Sequence, residues 1–319
     1  MKRKFVIFAM VSILGMGLLL SACSKQSIPA TSSSSHSSTR KSDAKSSSRK
    51  ENAKTDKVTP SQEIVQEEVL IPRDKNQIYG RLFAPVGYQD KRLPMIIFSH
   101  GFNNTLEFVA SYAEELAHKG YLVYAFDFVG GNTQSRSGGS MLDMSVFTEQ
   151  SDLQTVLNYW RNKDYVDTNA FILMGYSQGG VVSTLVAGEN PQIKGLVTLN
   201  AAFVLFDDAR ELFEETASIP DIYNHRGTNL GKVYFERLLD YDIYQQMSKI
   251  QARALIIQGN QDDVVPLPYA ERAAESIPNA QLKVVDGANH IFSGQEITEV
   301  LMSIDDYLQN LLQNEISNK

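Results

Sequence analysis

The stretch that decides the fold is Ala170-Phe171-Ile172-Leu173-Met174-Gly175-Tyr176-Ser177-Gln178-Gly179-Gly180-Val181-Val182-Ser183-Thr184-Leu185. Its first five residues are apolar without alternation, the pattern of a strand buried on both faces. Its last five read as a helix. Between the two lies a Gly-x-Ser-x-Gly string. A serine on a sharp strand-to-helix turn presents its hydroxyl at the end of the sheet, and in that context the string carries a nucleophile. Gly175 and Gly179 leave room for the turn, where a side chain would clash. Ser177 is the expected nucleophile.

Working outward from this turn, Ile64 to Leu70 and Gln77 to Phe83 predict an antiparallel hairpin at a sheet edge. Met95 to Phe98 and Tyr121 to Phe126 predict buried strands, and Leu196 to Leu199, Ala254 to Gln258 and Leu282 to Val285 three more. Helices are expected over Glu107 to Lys119, stopped by Gly120, and from a cap at Thr148 or Ser151 to Trp160. Pro268 to Ile277 and Glu296 to Leu312 complete the set. The stretch from Gly130 to Asp143 is a glycine-rich loop at the mouth of the site. Strands alternating with amphipathic helices predict an α/β fold, a mostly parallel central sheet with helices on both faces. Reactive residues then lie at the carboxyl ends of the strands. The segment 203–247 breaks the alternation and shows no clean strand. It is expected to be a small helical cap.

Acyl transfer by a serine requires a base within hydrogen-bond reach and a carboxylate to orient it. His290, in Asp286-Gly287-Ala288-Asn289-His290, follows a strand and precedes the last helix, which places it at the required end of the sheet. The acid lies in Gly259-Asn260-Gln261-Asp262-Asp263-Val264-Val265-Pro266, where spacing leaves Asp262 and Asp263 both open. The negative oxygen of a tetrahedral intermediate needs preorganised N–H groups. Gln178, first after the nucleophile, is expected to supply one and Phe102, in His100-Gly101-Phe102, the other. His100 is expected to brace that loop. No metal or cofactor is expected, because the chain holds neither His-Glu-x-x-His nor a cysteine pair, and the glycine-rich loop lacks phosphate-loop and dinucleotide spacing.

The ends carry a different message. Lys2, Arg3 and Lys4 precede the apolar run Phe5 to Leu20, which is short for a spanning helix and typical of an export signal. Leu20-Ser21-Ala22-Cys23 resembles the lipobox of bacterial lipoproteins. That resemblance implies cleavage after residue 22, lipidation of Cys23 and a membrane anchor. Cys23 is the only cysteine, so no intramolecular disulfide is possible. Residues 23–60 are rich in Ser, Thr and Lys and read as a disordered tether, leaving 61–319 as one folded domain. The tether holds many of the basic residues. The folded part is thus more acidic than the net charge of −7 suggests, which argues against nucleic-acid partners. Serine-rich tethers are common in Gram-positive surface lipoproteins, so the expected location is the extracellular face of the bacterial membrane.

From about residue 63 to 315 the chain resembles the α/β-hydrolases, and within them the bacterial cinnamoyl (feruloyl) esterases. The resemblance rests on His100-Gly101-Phe102, Phe126-Asp127-Phe128, Gly175-Tyr176-Ser177-Gln178-Gly179-Gly180-Val181-Val182, Gly259 to Asp262, and Gly287-Ala288-Asn289-His290. The family pattern Gly-x-x-Asp-x-x-Val-Pro selects Asp262 as the acid. The resemblance also implies Asp208 and Tyr234 as substrate contacts in the cap, and a small-molecule hydroxycinnamate or other aryl or short-acyl ester as substrate. Two departures stand out: Gly130-Gly131-Asn132-Thr133-Gln134-Ser135 replaces the family's Gly-His-Gly-x-Ser loop, and the cap around Phe203 to Arg210 differs. A surface monoacylglycerol or lysophospholipid esterase is the alternative within the same chemistry. An acyltransferase or peptidase of the same fold, or a non-catalytic binding lipoprotein, is a weaker one.

Overall fold

The computed structural model describes residues 62–313. The expected signal peptide (1–22), Cys23 and the tether (23–60) lie outside the described residues. In chain order the main elements are β1 (Ile64–Arg73), β2 (Asn76–Pro85), β3 (Leu93–Ser99), α1 (Ala110–His118), β4 (Leu122–Phe126), α2 (Val146–Trp160), β5 (Val166–Tyr176), α3 (Gln178–Glu189) and β6 (Gly195–Leu199). An insertion follows, made of α4 (Leu205–Leu212), β7 (Ile222–His225), β8 (Thr228–Gly231), α5 (Val233–Glu236) and α6 (Ile243–Met247). The chain then returns through β9 (Arg253–Gly259), α7 (Leu267–Ser276), β10 (Ala280–Val285) and α8 (Gln295–Gln313).

The main sheet has eight strands in the order β1-β2-β4-β3-β5-β6-β9-β10. The pairs β1–β2 and β2–β4 are antiparallel, and from β4 to β10 every pair is parallel. The apolar runs are continuous because both faces are covered. Along β3, Met95 and Ile97 enter the core on one face and Ile96 and Phe98 the core on the other. Helices α2, α3 and α7 pack on the first face, α1 and α8 on the second. In α8, Val300, Ile304, Tyr307, Leu308 and Leu311 recur every three or four residues and are buried. Helix α3 has no polar stripe: it is buried from Gln178 to Ala187, so it lies in the middle of its layer.

Three local readings change. First, α2 starts earlier than Thr148. Ser145 is its N-cap and accepts from the Thr148 N–H at 3.3 Å, while the Thr148 hydroxyl accepts from the Ser145 N–H at 2.9 Å. Threonine here does the work usually given to Glu or Gln in such a reciprocal cap. Second, a 3-10 turn over Leu106–Phe108 precedes α1, which begins only at Ala110. Asp127 accepts from the Leu106 N–H at 2.8 Å and holds that turn. Third, the cap is not purely helical. Strands β7 and β8 form a hairpin closed by Arg226 and Gly227, both at positive φ (50° and 86°). Two left-handed residues make the hairpin turn whose twist suits its strands.

The cap has an aromatic centre of its own. Phe213, Tyr223 and Phe235 meet with ring centroids 5.2 to 5.5 Å apart. Arg210 closes one end by donating to the carbonyls of Leu239 (2.9 Å) and Tyr241 (2.8 Å). Tyr241 packs on Phe147 of α2 at 5.1 Å, so the cap's core runs into that of the main body.

Candidate active site

Ser177 lies between the last residue of β5 and the first of α3, with φ 51° and ψ −119°. A serine held there stores about 1–3 kcal/mol of backbone strain, which the surroundings must sustain. They do so by close packing. A Cβ on Gly175 would lie 2.1 Å from the Gly179 carbonyl oxygen, and one on Gly179 would lie 2.3 Å from the Ser99 oxygen. The Ser177 N–H donates to Leu199 O at 2.8 Å, which ties the turn to β6.

His290 lies in the loop between β10 and α8, and its Nε2 is 3.1 Å from Ser177 Oγ. Its Nδ1 is 2.8 Å from Asp262 Oδ2. An N–H on Nδ1 aimed at the carboxylate leaves Nε2 as the acceptor for the serine proton. The Asp262 side chain is wholly buried, while that of His290 keeps 17% exposure and so remains open to substrate and water. Asp262 also accepts from Gln258 Nε2 (3.0 Å) and from the N–H groups of Val264 (2.9 Å) and Val265 (2.8 Å). Asp263 is exposed on the same loop. Spacing could not separate the two aspartates; the direction of their side chains does.

Two residues that motif reading passed over hold these loops together. Asn200, buried at the end of β6 with φ 45°, accepts from the Gly259 N–H at 2.9 Å. Its Nδ2 donates to the carbonyls of His290 (2.8 Å) and Asn289 (3.2 Å). One amide thus ties the acid-bearing strand to the base-bearing loop. The Tyr176 hydroxyl donates to His290 O at 2.7 Å and accepts from the Phe292 N–H at 3.1 Å. The signal in the sequence was weak: a single Asn after a strand and a Tyr beside the serine.

Phe102 and Gln178 flank Ser177, and among the described residues neither backbone N–H makes a hydrogen bond within the chain. Gly101 keeps the first loop close, since a Cβ there would lie 3.1 Å from Ser177 Cβ. His100 is buried with both ring nitrogens engaged: Nδ1 lies 2.8 Å from Gly101 O, and Nε2 accepts from the Phe128 N–H at 3.3 Å. Burial pushes its pKa down. A neutral imidazole committed at both nitrogens braces a loop and has no lone pair left for a substrate.

The cap residues are placed differently from one another. Asp208 sits half-buried in the first turn of α4, where burial raises its carboxyl and Arg226 opposes that rise. Tyr234 is buried on α5 and its hydroxyl donates to Gln178 Oε1 at 2.7 Å. Its ring packs edge-on against Phe102 at 5.9 Å. Beside Phe102, a polar cleft of about 780 Å³ opens between the glycine-rich loop and the cap hairpin, lined by Asn103, Asn132, Ser135, Leu142, Thr228 and Asn229 among others. Asn132 donates to Asn103 O at 2.6 Å, so the glycine-rich loop borders the Phe102 loop.

The architecture, the insertion after β6 and the serine turn agree with one known fold. The chain has the α/β-hydrolase fold. The sequence family described as serine aminopeptidase S33 matches residues 90–221, and that described as TAP-like protein matches 240–316. Among solved structures, Est1E from Butyrivibrio proteoclasticus with bound ferulic acid superposes with a TM-score of 0.68 at 23% identity, covering 78% of this chain and 99% of that one. An esterase from Exiguobacterium antarcticum superposes with a TM-score of 0.59 at 18% identity, covering 76% and 100%. Among curated proteins, the monoglyceride lipase of Rattus norvegicus is 25% identical over 74% of this chain and 86% of its own length. The quorum-quenching protein AidA of Acinetobacter baumannii is 22% identical over 69% and 87%.

Proposed function

We propose that this α/β-hydrolase is a serine carboxylic-ester hydrolase. The observation that carries the reading is the unbroken line Asp262–His290–Ser177, at 2.8 and 3.1 Å, ending on a serine held at positive φ. His290 Nε2 takes the Ser177 proton as Oγ bonds to the ester carbonyl carbon, and the carbonyl oxygen becomes negative. The N–H groups of Phe102 and Gln178 stabilise that oxygen. The C–O bond to the alcohol then breaks and His290 returns the proton to the leaving oxygen. Water repeats the sequence: His290 takes its proton, its oxygen bonds to the acyl carbon, and Ser177 leaves reprotonated. Asp262 holds the imidazole in the required tautomer throughout.

For the acyl group we favour a hydroxycinnamate or another small aryl or short-acyl ester. The likeness to the ferulate-bound Est1E structure and the half-buried Asp208 in the cap support this reading. Asp208 and Tyr234 are the proposed contacts; Tyr234 would use its ring, since its hydroxyl is taken by Gln178. The second reading is a lipid esterase, supported by the monoglyceride lipase relative and by the exposed Leu212 and Ile222 on the cap and Ile291 beside His290. The lipid-anchored location at Cys23 belongs to the proposal as well.

Hydrolysis of methyl ferulate and methyl p-coumarate beside p-nitrophenyl esters from acetate to palmitate tests the substrate. Rapid turnover of the hydroxycinnamates supports the first reading, and a maximum on long chains moves the assignment to the second. Ser177→Ala should remove labelling by a serine-reactive phosphonate along with turnover. Activity near the wild-type rate in that variant would end the serine mechanism. Cys23→Ala should release the protein from the membrane fraction.

A further inference from the structure

Three buried side chains from three elements meet behind Ser177. Tyr234, from α5 in the cap, donates to Gln178 Oε1 at 2.7 Å, and Gln178 Nε2 donates in turn to Glu149 Oε2 on α2 at 2.7 Å. Glu149, Gln178 and Tyr234 are each exposed by no more than 2%. No cation pairs with Glu149 among the described residues; Asp152, one turn along the same helix, adds negative charge, and Tyr234 faces it from the cap. A carboxyl buried with one amide donor is costly to keep. An apolar side chain would fill the space without that cost.

What the chain holds in place is specific. The amide belongs to Gln178, whose own N–H is one of the two proposed oxyanion donors. The tyrosine that completes the network packs on Phe102, the other, at 5.9 Å. We propose that Glu149 and Tyr234 are positioning residues that act through Gln178 and Phe102, so that the oxyanion site is set in register only when the cap is seated. The inference rests on the serine-esterase reading. Neither residue touches the reacting atoms; each acts on transition-state stabilisation, so the loss on removing it falls on kcat. A displaced donor should cost about tenfold, less than the hundredfold or more of a deleted one.

The test uses the full-length chain with p-nitrophenyl butyrate, comparing wild type, Tyr234→Phe, Glu149→Leu, Glu149→Gln and Ser177→Ala. Tyr234→Phe and Glu149→Leu are expected to lower kcat about tenfold with KM within about twofold, and to slow phosphonate labelling in parallel. Glu149→Gln keeps an acceptor for Gln178 and is expected to restore kcat to within about threefold of wild type. If Glu149→Leu does not fold, Tyr234→Phe decides alone, because it keeps the ring and its packing. A kcat within twofold of wild type in folded Tyr234→Phe overturns the proposal, as does a change confined to KM. Ser177→Ala separates the layers: full activity there removes the underlying reading, whereas an inert Ser177→Ala beside an unaffected Tyr234→Phe removes only this inference.

Discussion

Two carboxyl groups are buried on either side of the Ser177 turn, and the chain surrounds them in opposite ways. On the base side, Asp262 receives four donors: His290 Nδ1, Gln258 Nε2 and the N–H groups of Val264 and Val265. On the cap side, Glu149 receives a single amide hydrogen from Gln178, and burial pushes its carboxyl up to about 8. The count of donors separates the two environments. In the proposed mechanism Asp262 faces a developing imidazolium, and its buried oxygens are all given hydrogen-bond donors. A carboxyl that only has to hold an amide in place is cheaper to bury protonated.

The sharpest way to break this contrast is at Asp262. Asp262→Asn should lower kcat by roughly 10³- to 10⁴-fold by favouring the wrong imidazole tautomer. Asp263→Asn should leave kcat within about twofold, since its side chain is exposed on the same loop. A large loss in the second variant and none in the first would reverse the assignment of the acid.

A smaller effect is expected at Asn200, which serves the base side alone. Asn200→Asp keeps an acceptor for the Gly259 N–H and a residue tolerant of positive φ. It replaces the donor that reaches the carbonyls of Asn289 and His290 with an oxygen. Chemical denaturation should show a loss of about 1–3 kcal/mol, and kcat should fall roughly tenfold as the His290 loop loosens. An unchanged kcat with lowered stability would make Asn200 purely structural.

The last effect is on stability rather than on turnover, and it belongs to Glu149. Between the ordinary glutamate value of about 4.3 and the folded-state value of about 8, the folded chain holds a proton that the unfolded chain has lost. Its contribution is therefore fully present below the unfolded pKa and is lost as pH rises through this window. Asp152, raised to about 6 mainly by burial, acts in the same direction over a narrower range. The Tm of wild type relative to Glu149→Gln should decline steadily from pH 5 to pH 8. A difference independent of pH over that range would show that the Glu149 carboxyl titrates alike in both states.

Much of the framework was legible because burial leaves a direct mark on composition. The runs at Met95–Phe98 and Phe171–Met174 lack alternation since both faces of the sheet are covered, and their strands extend only a few residues beyond those runs. The cap hairpin was not legible in the same way. Its strands are four residues each, and their exposure alternates weakly around Arg226 and Gly227, so only the turn carried a signal. The N-cap of α2 was missed because threonine took the position where Glu or Gln marks such a box.

The same division runs through the site. Chain order and the glycines around Ser177 depend on local geometry, and local geometry is written in adjacent residues; the sequence therefore determined the serine turn, the candidate base and the short list of acids. Which aspartate faces His290 depends on side-chain direction in a loop, and direction depends on the donors of β9 and the Val264–Val265 turn around it. That Asn200 joins two loops, and that Glu149 reaches the cap through Gln178, depends on contacts between residues 29 to 90 positions apart in the chain. No pattern of neighbours encodes such contacts. They exist only once the parallel strands align their carboxyl ends and bring distant loops to one edge of the sheet.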